Sequence, residues 1–144
     1  MIAVATNILV YAERTDLPWF EAAARCLTDL NRSGKQWALP WNCVHEFYSV
    51  VTNRRLWNEP TPPMRAIDQI ESWLESPLVV LLSEGPRHGK VLREVLTESG
   101  ITGSKVHDAR IVAVCREHGI ETIWSADRGF SRYPGLRVVN PLVR

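Results

Sequence analysis

Short apolar runs without polar interruption, separated by helical stripes, constrain this chain more than any other feature. The runs are Ile2-Ala3-Val4-Ala5, Trp37-Ala38-Leu39-Pro40, Val79 to Leu82, Thr122 to Ser125 and Leu136 to Val139. Most are continuous rather than alternating, which suits strands covered on both faces. Between them the sequence predicts helices over Ile8 to Glu13, Pro18 to Leu30, Asn42 to Arg54, Pro63 to Leu74, Arg87 to Ser99 and Lys105 to His118. The third carries Val44, Phe47, Tyr48 and Val51 at i, i+3, i+4 and i+7, an apolar stripe. In the fourth, Met64, Ile67, Ile70 or Glu71, and Leu74 are in rough helical phase. Thr6 or Asn7 and Ser104 are expected caps, while Gly34, Gly100 and Gly119 stand at or beyond helix ends. The expected architecture is α/β: three layers, α/β/α, with a short, mainly parallel sheet.

At 144 residues the chain is the size of one domain, and residues 1–144 are expected to form it. Leu78 to Leu82 is as long as any aliphatic run gets, too short to span a membrane. The N-terminal residues lack the basic-then-apolar pattern of a secretion signal, so a cytoplasmic location is expected. Cys26, Cys43 and Cys115 are widely spaced and form no CxxC pair, which removes zinc ribbons and thioredoxin-type motifs. His45, His88, His107 and His118 have no metal-motif spacing. No GxxxxGK[ST], GxGxxG or GxSxG occurs, so the ATPase, dinucleotide and serine-hydrolase readings lose their main support. A net charge of +1 leaves the distribution of charge, not its sum, to point to partners.

Parallel α/β sheets bind ligands outside the carboxyl ends of their strands. After the first strand stand Ala5-Thr6-Asn7, on the helix after the second Glu46, and after the fourth Ser125-Ala126-Asp127-Arg128. Asp108 lies early in the helix before the fourth strand. Taken singly, Glu46 reads as a solvated carboxylate, Asp108 as a helix-dipole partner and Asp127 as a turn former. Their shared placement at one edge is what points to chemistry. Carboxylates gathered there repel one another unless protonated or bound to cations, and Mg²⁺ or Mn²⁺ suits oxygen donors. Such a site suits phosphodiester displacement. Arg14, Arg54, Arg110 and Arg128, with Arg55, Arg87 and Arg132, are candidates for a basic rim that would hold a nucleic-acid backbone.

These residues resemble the PIN-domain endoribonucleases, specifically the VapC-type toxins of bacterial type II toxin–antitoxin systems. The resemblance covers essentially the whole chain. It rests on MIAVATNILVYA, PWNCVHEFYSVVTN and GSKVHDARIVAVCREHGIETIWSADRGFSRYPGLRVVNPL, in that order; WNEPTP, WLESP and EGPRHGKVLREVL look like a mycobacterial subgroup. It implies a PIN-like fold, a Mg²⁺ or Mn²⁺ site, RNA cleavage that inhibits translation and growth, a homodimer, and neutralisation by a cognate VapB-like antitoxin. Residue by residue, Glu46, Asp108 and Asp127 resemble the second, third and fourth acidic positions. Asn7 resembles the polar residue two after the first acidic position, and Thr6 or Ser125 a supporting hydroxyl. Asp108 is the implied direct metal ligand, with Glu46 and Asp127 acting directly or through water.

The pattern departs at one point. Where the family reads Asp-Thr-Asn, this chain reads Ala5-Thr6-Asn7, so a metal-ligating carboxylate is missing. The expectation is an impaired nuclease, Ala5 being an engineered substitution that disarms it. The alternative is a natural loss that leaves a non-catalytic module binding RNA or the antitoxin. A phosphotransferase with an aspartate nucleophile is a third reading, weakened because Ala5 and Asn7 occupy its usual aspartate positions. A structured RNA such as tRNA or a ribosomal RNA loop fits as substrate. Trp19, Phe20, Trp57 and Trp73 are candidate antitoxin anchors, with internal packing as the competing reading.

Overall fold

The computed structural model describes residues 1–143. Five strands, β1 (Ile2–Val4), β2 (Trp37–Pro40), β3 (Val79–Leu82), β4 (Thr122–Trp124) and β5 (Arg137–Val139), form one sheet in the order β3-β2-β1-β4-β5. Every pairing is parallel. Burial explains the continuous apolar runs: Ala3, Val4, Ala38, Leu39 and Ile123 have no exposed surface.

Six helices connect the strands: α1 (Thr6–Glu13), α2 (Phe20–Arg32), α3 (Trp41–Val51), α4 (Pro63–Glu75), α5 (His88–Ser99) and α6 (Val106–Glu117). The chain walks from β1 to β2 to β3 in one direction, then returns to β4 on the other side of β1. Right-handed crossovers put α1 to α4 on one face, and the reversal puts α5 and α6 on the other. Packing agrees: α1 touches α2 and α3, α3 touches α4, and α5 lies against α6. The reversal makes the carboxyl ends of β1 and β4 the topological switch point. Among the described residues, no helix is long and apolar enough to cross a membrane.

Local expectations needed three corrections. First, α1 begins at Thr6, and its N-cap is Ala5, without a side-chain cap bond. The amide of Asn7 is spent on the β4 loop instead of on its own helix. Second, Ser104 caps nothing: Gly103–Lys105 forms a 3-10 turn, started by Gly103 at φ +64°, and α6 follows at Val106. Third, α4 is rotated from the expected phase. Ala66 and Trp73 face inward, while Met64 and Leu74 are exposed. Trp73 fixes this rotation by packing edge-on against Phe47, ring centroids 4.9 Å apart. Trp73 is therefore a core residue, not a partner anchor. Trp57 is held too, its Nε1 donating to the Val50 carbonyl at 2.8 Å. Trp19 stays exposed and Phe20 half-buried.

Candidate active site

A cleft of about 340 Å³ opens at the switch point. Ala5, Thr6 and Asn7 line it from the start of α1, Glu46 from α3, Asp108 from the first turn of α6, and Asp127 from the loop after β4. Four chain segments far apart in sequence thus meet where the strand order reverses.

The two loops at the switch point are tied together by side chains. Asn7 Nδ2 donates to Ser125 Oγ at 2.9 Å, and Asn7 Oδ1 accepts from the Ala126 N–H at 3.0 Å. Ser125 Oγ also accepts from the Asp127 N–H at 3.0 Å, and Asp127 Oδ1 accepts from the Gly129 N–H at 2.8 Å. Both ends of the Asn7 amide are therefore engaged in fixing the backbone that carries Asp127. Ser125 is 1% exposed and works from beneath the cleft wall.

Glu46 stays solvent-exposed, but partial desolvation by its neighbours raises its carboxyl above the usual carboxylate range, and the nearby Asp108 charge adds to the rise. Burial raises Asp108 as well, with Asp127 as the second cause. His107 opposes both shifts, and Lys105 opposes that of Asp108. Among the described residues, no ion pair links an arginine or lysine to Glu46, Asp108 or Asp127. The hydroxyl of Thr6 is buried, with the Cys43 thiol as its neighbour rather than a well-formed hydrogen-bond partner. Cys43, fully buried, has its thiol pushed up to about 12 by desolvation, so it is an inert apolar group.

The arginines are less uniform than the rim expectation has them. Arg54 and Arg128 are exposed. Arg110 is tied to Glu84 through a short ion pair. Arg14 is 8% exposed and its terminal nitrogens bond the Glu59 carbonyl and Asp16, so it is not a rim charge. His45 is exposed beside Trp41, with ring centroids 6.0 Å apart.

Sequence reasoning missed several residues of the cleft. It also missed Gly129, which does not line the cleft but where a Cβ would stand 3.0 Å from Asp127 Oδ1. The Asp127-Arg128-Gly129 turn was the signal for it. Val10, Tyr11, Val50 and Phe130 do line the cleft. Tyr11 and Val50 each fall four residues after a residue already singled out, Asn7 and Glu46, which was legible from helical spacing.

Comparison with known proteins fits this geometry. The model of the PIN domain family matches residues 2–136. The chain belongs to the PIN-domain family. Within it, the relatives are VapC ribonucleases: one from Mycobacterium bovis and ribonuclease VapC43 of Mycobacterium tuberculosis are each 35% identical over 142 residues, 99% of this chain and 96% of theirs. The fold is shared with Mycobacterium tuberculosis VapC20, a Sarcin-Ricin loop cleaving toxin (TM-score 0.68, 20% identity, 95% of this chain and 99% of that one). It is shared equally with VapBC2 from Rickettsia felis, solved bound to a promoter DNA fragment (TM-score 0.68, 18% identity, 96% and 98%).

Proposed function

We propose that this chain is an endoribonuclease toxin of a toxin–antitoxin pair, cutting RNA phosphodiester bonds in the cleft and weakened by alanine at position 5. The observation that carries the reading is the meeting of Glu46, Asp108 and Asp127 in one cleft of a PIN chain. The named relatives are ribonucleases. A cognate VapB-like antitoxin is the proposed partner, in keeping with VapBC assemblies among the proteins of similar fold. We further propose a homodimer in the cytoplasm, the oligomer being checked by light scattering.

The donor set suits a hard divalent cation. All three carboxylates offer oxygen, and those of Glu46 and Asp108 are raised by partial desolvation and by a neighbouring carboxylate, a penalty that positive charge relieves. Among the described residues, however, no three His, Cys, Asp or Glu side chains form a ready cage. Mg²⁺ keeps much of its water, so a loose site suits it better than a closed one. Asp108 would hold the ion, with Glu46 and Asp127 helping directly or through water. The ion would supply positive charge beside the phosphodiester.

The chain's own groups do the rest. Ser125 and Asn7 hold the Asp127 backbone, so its carboxylate keeps a fixed bearing on Asp108. A carboxylate with raised proton affinity, such as Glu46, suits acceptance of a proton from an attacking water. Exposed Arg54 and Arg128 are proposed to meet flanking phosphates.

Ala5 is 1% exposed and lines the cleft with no donor atom, which is the observation favouring the second reading, a binding module without turnover. One experiment separates the two. Total RNA is incubated with Mg²⁺ or Mn²⁺ and either this chain or Ala5→Asp. The nuclease reading expects the variant to cut at discrete sites, EDTA to stop it, and Asp108→Asn to abolish both cutting and Mn²⁺ binding. A folded variant that binds RNA but never cuts it supports the module instead.

A further inference from the structure

The carboxylates account for only part of the cleft wall. Thr6 and Asn7 open α1 at the floor, and Val10 and Tyr11 line the cleft about one helical turn, roughly 5.4 Å, further along. On α3, which packs against α1, Glu46 and Val50 repeat the step from polar to apolar. Both helices therefore present chemistry at the sheet edge and an apolar surface a turn away. Phe130 belongs to this apolar part, but its ring is 3% exposed and lies near Tyr133, with centroids 6.5 Å apart. Tyr11 is the aromatic residue of the cleft that stays partly open.

We propose that this apolar part is a nucleobase subsite. Tyr11 offers its ring face to the base of a nucleotide flanking the cut phosphodiester, with half-buried Val50 in the same wall and Val10 and Phe130, 5% and 3% exposed, contributing little open surface. The proposal rests on the reading of the cleft as an RNA-cleaving site. Its logic is the pairing of two chemistries within one helical turn. A nucleotide joins an anionic linkage to a flat apolar ring, and the cleft joins a carboxylate floor to an apolar wall. A peptide on the same wall is the competing occupant, and the test below separates the two. Stacking on an aromatic ring tolerates every base, so the subsite adds affinity and register, not a strict sequence preference.

The test uses a single-stranded oligoribonucleotide carrying 2-aminopurine, with this chain, Tyr11→Phe and Tyr11→Leu. The expected result is quenched 2-aminopurine fluorescence on binding, kept by Tyr11→Phe. In Tyr11→Leu the quench is lost and Kd rises about tenfold or more. Mn²⁺ affinity and melting temperature should match the parent in both variants. Equal quenching and Kd in Tyr11→Leu overturn the proposal. So does a loss of antitoxin binding in Tyr11→Leu with RNA binding unchanged, which would give the wall to a protein ligand. In the Ala5→Asp background, active cutting with a KM that Tyr11→Leu leaves unmoved removes the subsite and keeps the nuclease. No cutting and no oligonucleotide binding by any variant removes both.

Discussion

Arg14 and the cleft carboxylates are charges that the chain treats in opposite ways, Arg14 being buried, Asp108 half-buried, and Glu46 and Asp127 exposed. The Arg14 guanidinium donates to the Glu59 carbonyl at 2.7 Å and to Asp16 at 2.8 Å, and it lies 4.2 Å over the Trp57 ring. Both terminal nitrogens are matched, although the buried Nε has no hydrogen-bond partner, and the side chain ties the loop after α3 to the end of α1. Glu46 and Asp108 have the reverse surroundings. Partial desolvation and a neighbouring carboxylate both work against their ionised forms, and no arginine or lysine pairs with them among the described residues. Matched charge acts as structure; unmatched charge lowers stability and marks the place where a ligand supplies what the protein withholds.

The largest effect is expected from breaking the matched side. Arg14→Ala removes an ion pair, hydrogen bonds and a cation–π contact, and strands the Glu59 carbonyl. A loss of about 2–3 kcal/mol in urea unfolding is expected. Arg14→Lys should recover only part of it, because an ammonium lacks the planar fork. A loss below about 0.5 kcal/mol would make Arg14 an ordinary surface charge. A smaller effect of opposite sign is expected on the unmatched side. Asn42, one turn before Glu46 on α3, has neither its Nδ2 nor its Oδ1 hydrogen-bonded. Asn42→Leu keeps most of the volume and drops the orphan groups, and should stabilise by about 1 kcal/mol. Destabilisation would mean that the amide bonds an ordered water.

The same contrast explains what the sequence made legible. Continuous apolar runs report burial on both faces, so the strand order of the chain and the parallel sheet could be read directly. The carboxylates stood out because the strand pattern put them all at one edge. Arg14 did not, since nothing local distinguishes a buried arginine from an exposed one: Trp57, Glu59 and Thr61 reach it only through folding. Asn7 was legible as a site residue, but not in its work of fixing the Ala126 and Asp127 backbone through a contact 118 residues away. The phase of α4 escaped for the same reason, being set by the contact of Trp73 with Phe47 rather than by its own stripe.

Removing a charge from the cleft should help the fold. Without divalent ions at pH 7, Asp108→Asn is expected to stabilise by about 0.5–1 kcal/mol. The sign follows from linkage. Asp108 and Glu46 have folded pKa values above their unfolded ones, so their contribution to stability is fully present below the unfolded pKa and is lost as pH rises through the folded pKa. The gain from Asp108→Asn should therefore shrink as pH falls through the folded pKa and vanish only below the unfolded pKa of about 3.9. Asp16 runs the other way. The hydrogen bond from Arg14 lowers its pKa, so its contribution is present above the unfolded pKa and lost as pH falls through the folded one. A gain from Asp108→Asn that persisted undiminished at pH 4 would break the account of the cleft as unmatched charge.

The smallest effect sharpens the comparison, because it involves the same kinds of residue beside the same loop. Arg65 bonds Glu13 at 3.1 Å, just as Arg14 bonds Asp16. Here the burial is inverted: the Arg65 side chain is 68% exposed, and that of Glu13 is 9% exposed. Burial raises the Glu13 carboxyl, and Arg65 only partly offsets the rise. Arg65→Ala therefore loses an interaction that water already screens, and a cost of about 0.5 kcal/mol or less is expected at neutral pH. The cost should fall further in 1 M salt, where the screening length is about 3 Å. It should disappear in acid, where Glu13 is neutral. Arg14→Ala should keep most of its effect in both conditions, since its bonds to the Glu59 carbonyl and its contact with Trp57 need no ionised partner. If the two variants responded alike to salt and acid, burial of the arginine would not be what separates them.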